Sequence, residues 1–344
     1  LSAKRGADAR VRAGQANLWN TEQQVLLDTV TAYSDVIRDE ATVQLNSNNV
    51  QVLGRQLEAS RDRFRVGEIT RTDVAQSEAR LSLAKSNKTR SEATLAESRS
   101  RYGVTVGQAP GTLDPLPALP AVPNSLDESI DLALNNNPSL IGAKESEDAA
   151  KHDVTQAKGG LLPTVELRGQ VTAGEDFNRD QFQNSGSSVS TQVTIPLYQG
   201  GAQYSRIRQA KHTHSASRLQ SALAQRQAVQ AATNAWENLQ AARAAIISDR
   251  EQVRANEIAY EGVRQEAQVG SRTTLDVLDA EQELLDAQVA LVRTERDEYV
   301  AAYQLLAATG QLTAENLALA VDIYDPVQNY KDVRNKLIGY GTND

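Results

Sequence analysis

The side chains that could do chemistry are few and concentrated. Asp276 and Asp279 stand three apart where a helical pattern begins, so they share one helix face. Such a pair can act as a charged site that repels anions and attracts cations. It can equally be ordinary N-terminal helix charge, worth about 0.3–1 kcal/mol. Arg272 lies in the polar stretch just before them. His212 and His214 are two apart on a helical pattern and point to different sides, and His152 stands alone, so solvated histidines are expected and no metal site. The chain has no cysteine, which excludes disulfides and thiolate ligands. Gly159-Gly160 and Gly200-Gly201 do not fit the GxxxxGK[ST] phosphate loop. No Ser/His/Asp constellation or paired-carboxylate arrangement supports catalysis, so neither an enzyme nor a cofactor is expected.

The two aspartates belong to a stretch that occurs twice. Residues 269–284, VGSRTTLDVLDAEQEL, have a counterpart in residues 66–81, VGEITRTDVAQSEARL. Each copy holds a Val-Gly pair, a short polar connection, an Asp-Val pair and a return to helical pattern. Glycine followed by Thr/Asp reads as a helix stop and then a new N-cap. Each copy is therefore expected to be the tip of a helical hairpin. Gly67 and Gly270 are the expected C-caps, and the helix after the first tip is expected from about Thr72.

The flanking segments are long. Residues 1–65 contain no proline, and Val36, Val43, Val50 and Leu57 fall seven apart; a continuous helix there would span roughly 95 Å. Leu239, Ile246, Val253 and Tyr260 repeat the spacing before the second tip, and Leu278, Leu285, Val292 and Tyr299 after it. Such heptads predict antiparallel coiled coils. Five prolines between Pro110 and Pro123 break the pattern from about Gly103 to Asn124. Ser125 and Glu128 form a capping-box signature for a short helix to about Asn136, and Pro138 opens another that ends at Gly159-Gly160.

The β signal is confined to two runs with period two, residues 164–174 and 188–198, joined by a polar loop, 175–187, with Phe177 and Phe182 near its ends. Each is about ten residues, the length of a membrane-spanning β-strand. An isolated hairpin is marginal in water, so these strands are expected to pair beyond this chain.

A shift of 203 positions aligns more than the tips. Thr31-Ala-Tyr33 meets Asn234-Ala-Trp236, Val36 meets Leu239, Val50 meets Val253, and Gly107-Gln108 meets Gly310-Gln311. The chain is a tandem duplication of helix, tip and shorter helix. Extrapolated backward, the shift puts a partner hairpin before Leu1. Two hairpins make too few strands to close a barrel, so closure is expected to need several protomers.

Composition agrees. Aromatics are only 4% of the 344 residues, which suits thin coiled-coil seams rather than a thick core. No apolar run approaches the roughly 20 residues of a membrane helix. The net charge of −8 argues against nucleic acid as a partner.

The paired tips, Leu162-Pro163 before the first strand, and Ile195-Pro-Leu-Tyr-Gln-Gly-Gly201 after the second resemble the TolC family of outer-membrane efflux and secretion channels. The resemblance runs in order along nearly the whole chain. It implies a mainly α fold with a small β part: long antiparallel coiled-coil helices forming an α-barrel, and a β-hairpin contributing to a trimeric transmembrane β-barrel. Residues 1–106 would be the first helical hairpin, with the N-terminal part of repeat 1 missing. Residues 107–137 would be an equatorial linker and short helix, and 138–160 an α-barrel helix. Residues 161–201 would be the outer-membrane hairpin, 202–311 the second helical hairpin, and 312–344 an equatorial tail.

The implied function is the exit duct of a tripartite efflux pump or type I secretion system, gated at its periplasmic tips, in the outer membrane of a Gram-negative bacterium. The implied partners are two further copies in a homotrimer, a periplasmic adaptor (membrane fusion) protein, an inner-membrane transporter of ABC or RND type, and outer-membrane lipid. By the same resemblance Asp276 and Asp279 are the constriction and selectivity residues. Arg272 with Thr72 and Asp73 forms the gate latch, and Val66-Gly67 and Val269-Gly270 form the adaptor-docking tips. One departure stands out: Ala267 occupies a position where the family carries a tyrosine latch partner. The competing reading is a soluble periplasmic coiled-coil adaptor or scaffold. It accounts for helices and tips but not for two alternating ten-residue strands.

Overall fold

A computed structural model describes residues 2–176, 182–325, 327–328 and 331. Its elements in order are α1 (Ser2–Arg65), α2 (Arg71–Val106), α3 (Leu126–Asn136), α4 (Pro138–Gly159), β1 (Thr164–Asp176), β2 (Phe182–Thr194), α5 (Ala202–Gln268) and α6 (Thr274–Ala308). No helix among the described residues is long and apolar enough to cross a membrane.

The described residues divide into two compact units, one within 1–17 and 139–225, the other within 18–138 and 226–344. In the first, the start of α1 lies against α4 through small side chains. Ala9, Ala16 and Leu140 are fully buried, and a Cβ on Gly142 would meet the Ala16 methyl at 3.5 Å. Arg10 grips both carboxylate oxygens of Asp153 at 2.6 Å, and Arg12 reaches Glu145 at 2.7 Å. His152 approaches Asp148 at 3.5 Å, so it is not as isolated as its place in the sequence suggests.

The hairpin of this unit departs from its expected limits. The antiparallel ladder runs from Thr164↔Thr194 to Asp176↔Phe182, well into the segment expected to be loop. Phe182 begins β2, and Phe177 lies outside the described residues. At the other end the expected strand to Tyr198 stops at Thr194, because Pro196 has no N–H to give to a ladder. Val165 faces Val193 across the pair, and with Leu167, Val171 and Val189 they form one apolar face that is 57–85% exposed. Glu166, Arg168, Gln170 and Thr172 take the opposite face. Gly200 and Gly201, both with positive φ, turn the chain from there into α5.

In the second unit α1 pairs antiparallel with α2, and α5 with α6. Ser60 meets Ser77 and Arg99 meets Glu40 along the first pair; Thr294 meets Asp249 and Arg250 meets Glu295 along the second. The heptad residues Val36, Leu57, Leu239, Ile246, Leu278, Leu285 and Tyr299 are buried. Leu239 packs with Ala301, Ala302 and Leu305. Tyr299, Tyr303, Leu306 and Leu312 form a second cluster, which Leu116 and Val122 of the proline-rich segment cover.

Helix α2 continues past Gly103, where a break was expected, and stops at Gly107, whose φ of 85° caps it. Gly310, its counterpart 203 positions on, has φ 77°, and a Cβ there would lie 2.2 Å from the Asn136 carbonyl oxygen. The duplication thus extends to backbone conformation. The tail beyond Pro326, with its basic and aromatic residues, lies almost wholly outside the described residues.

Candidate functional site

The two tips are built with the same bonds. At the first, Glu68 N–H donates to the Arg63 carbonyl at 2.9 Å and Gly67 takes φ 78°. At the second, Ser271 N–H donates to the Glu266 carbonyl at 3.0 Å and Gly270 takes φ 81°. Both are helix stops in which a left-handed glycine lets the chain turn back and satisfy end carbonyls. Val66 and Val269 beside them are 72% and 82% exposed, an apolar point on each tip.

The following helices begin with full capping boxes, at Thr70, so that α2 starts at Arg71, one residue from the expected Thr72, and at Thr273. Thr70 N–H donates to Asp73 Oδ2 at 2.8 Å, and Asp73 N–H returns a bond to Thr70 Oγ at 3.3 Å. Thr273 and Asp276 repeat this at 2.9 and 3.2 Å. Thr72 therefore falls inside the first turn of α2 and is exposed. Hydrogen bonds from the Thr70 hydroxyl and backbone hold the Asp73 carboxyl below its usual range. The Thr273 backbone and hydroxyl do the same for Asp276.

The expected site residues do not all act together within one chain. Arg272 Nε donates to Glu266 at 2.8 Å, and this partner raises its pKa further. Among the described residues no hydrogen bond or ion pair joins Arg272 to Thr72 or Asp73. Asp276 turns its Oδ2 onto its own cap. Asp279, one turn later and exposed, forms an ion pair with Arg80 of α2. Ala267 is 91% buried, with no polar atom to offer in place of a tyrosine hydroxyl.

Two side chains were missed in the sequence. Arg80 could have been found by comparing the repeats, since its counterpart is Glu283 and that of Asp279 is Gln76. Glu281 is 8% exposed on α6, and burial pushes its pKa up to about 7. Its heptad position had no signal separating it from surface glutamates. No cluster of His, Cys, Asp and Glu suited to a metal ion occurs among the described residues.

Comparison with known proteins matches this architecture. Residues 129–311 fit the model of the outer membrane efflux protein family. The chain is 37% identical to the outer membrane efflux protein BepC of Brucella suis over 339 residues, 98% of this chain and 74% of BepC. It is 27% identical over 320 residues to the outer membrane protein TolC of Vibrio cholerae, covering 90% of this chain and 73% of that protein. The crystal structure of the Campylobacter jejuni CmeC outer membrane channel superposes with a TM-score of 0.81 at 15% identity, over 97% of this chain and 71% of CmeC. The adaptor reading falls, the fold is that of an outer-membrane channel, and the chain belongs to the outer membrane efflux protein family.

Proposed function

We propose that this chain is one third of a homotrimeric exit duct whose periplasmic end is gated by the two tips. In this reading Asp276 and Asp279 of three protomers ring the axis and favour cations. Arg272, paired with Glu266 in the isolated chain, latches the closed state by exchanging to Thr72 and Asp73 when the tips of the assembled trimer meet. A charge-assisted bond of this kind is strong enough to hold and weak enough to be traded. The exposed Val66-Gly67 and Val269-Gly270 points are the docking sites for a periplasmic adaptor, and an inner-membrane transporter of ABC or RND type delivers cargo.

The observation that carries this reading is the asymmetry of two otherwise matching tips. Both have the same glycine stop and threonine–aspartate cap, but only the second adds Arg272 and Asp279; the first has Arg71 in the different setting before Thr72, and Gln76. The test is Arg272→Ser in planar bilayers. The reading expects higher single-channel conductance with the trimer intact. Unchanged conductance would remove Arg272 from the latch.

A further inference from the structure

The Arg80–Asp279 ion pair joins the α1/α2 hairpin to the α5/α6 hairpin close to both tips. It sits beside the cluster in which Leu53 of α1, Ala84 of α2 and Leu278 of α6 are buried together, with Val50 and Leu81 packed on it. Leu81 follows Arg80 and Leu278 precedes Asp279, so the pair lies next to one of the apolar contacts between the two hairpins. The Arg80 side chain is 30% exposed and that of Asp279 50%. Neither makes another side-chain hydrogen bond or ion pair among the described residues.

The pair is particular to one pairing of the repeats. Under the 203-residue shift its members become Glu283 and Gln76, which cannot form an ion pair. The link is therefore not repeated by the second copy and is specific to this contact between α2 and α6. Most cross-helix ion pairs in this unit join helices of the same hairpin, as Arg61–Glu78, Arg99–Glu40 and Arg250–Glu295 do. Arg80–Asp279 bridges hairpins, and such a bond must change if one hairpin moves against the other.

We infer that Arg80 is a selectivity-determining residue that fastens the closed gate and masks the Asp279 charge until the hairpins part. One bond has both effects: while it holds, the guanidinium neutralises the carboxylate, and when it breaks the carboxylate is left facing the pore without its counter-ion. Cation selectivity then rises as the channel opens. This rests on the reading of Asp279 as a constriction residue.

The test is Arg80→Gln, compared with Asp279→Asn, Arg80→Lys and the swap Arg80→Glu with Asp279→Arg, as trimers in planar bilayers. Both neutralising variants lose the link, so both should raise conductance, by up to about fivefold in the open-to-closed ratio for each pair broken. Their selectivities should move in opposite directions: Arg80→Gln becomes more cation-selective and Asp279→Asn less. Arg80→Lys should stay near wild type. The swap should restore low conductance with reduced cation preference. Wild-type conductance for Arg80→Gln overturns the link, whatever the aspartates do. Raised conductance with no change in selectivity overturns the mask, provided Asp276→Ala with Asp279→Ala does lower selectivity. If that double variant changes nothing, the constriction assignment fails, and the mask with it.

Discussion

Asp35 on α1 and Arg296 on α6 meet at 2.9 Å with side chains only 5% and 19% exposed. Arg38 at 2.9 Å and Arg101 at 3.6 Å bring two more guanidinium groups to the same carboxylate. Arg38 also holds Asp39 at 2.8 Å, and Asp39 accepts a hydrogen bond from Ser98 of α2. A largely buried charge network thus ties α1, α2 and α6 together.

Removing the carboxylate should cost more than removing one of its partners. Asp35→Asn leaves Arg38 with Asp39, Arg296 with Asp297 and Arg101 in solvent, but it removes the carboxylate that three guanidinium groups share and is expected to cost about 2 kcal/mol. Arg296→Gln removes a guanidinium whose Nε approaches Asp35 without a hydrogen bond and leaves the carboxylate with Arg38 and Arg101, so it is expected to cost about 1 kcal/mol. Urea unfolding of the two variants checks this order. Equal losses would mean that Arg296 alone holds Asp35.

The capping boxes should set the local stability of both tips. Thr70→Val and Thr273→Val each remove a cap worth about 1 kcal/mol. Amide exchange over residues 71–76 or 274–279 should speed up about fivefold in the matching variant, and only there. Asp73 and Asp276 have folded pKa values below their ordinary ones. Their contribution is therefore complete above the ordinary carboxylate range and is lost as pH falls through the depressed folded value. Tip protection should hold through pH 5 and decline only in stronger acid.

Glu281 should give the opposite pH dependence. It is buried on α6, faced by Arg55 from α1 and Tyr260 from α5, with no hydrogen bond or ion pair among the described residues. Arg80 of α2 is committed to Asp279. Burial lifts the pKa of Glu281 from 4.5 to about 7. Between those values the folded chain holds a proton that the unfolded chain has released, so its contribution is full below pH 4.5 and is lost as pH rises through 7. Glu281→Gln should stabilise the protein at pH 8 by on the order of 1–2 kcal/mol and flatten this part of the pH profile. Melting curves at pH 6 and pH 8 that show the same gap between variant and wild type would contradict this.

The sequence made the helices, both tips and the duplication legible because each depends on local rules. Heptad leucines and valines mark a seam, and a glycine before a threonine–aspartate box marks a turn between helices. The strand limits were less legible, since Gly174 and Ser185–Ser188 look like loop residues and pair only because the ladder continues through them. The end of α2 was misplaced because Gly103 and Gly107 look alike in sequence and only the second takes positive φ. Within the candidate site, Asp276 and Asp279 were visible as a pair. Their separate uses, one in a cap and one against Arg80, depend on packing between segments about 200 positions apart, which no local pattern encodes.

The central claim is that the second tip carries the charge that selects what passes. The most direct measurement is the reversal potential of single channels in a salt gradient, for wild type and for Asp276→Ala with Asp279→Ala. Wild type should be cation-selective, and the double variant should lose most of that preference while still inserting as an open-capable channel. The same reversal potential for both would contradict the account.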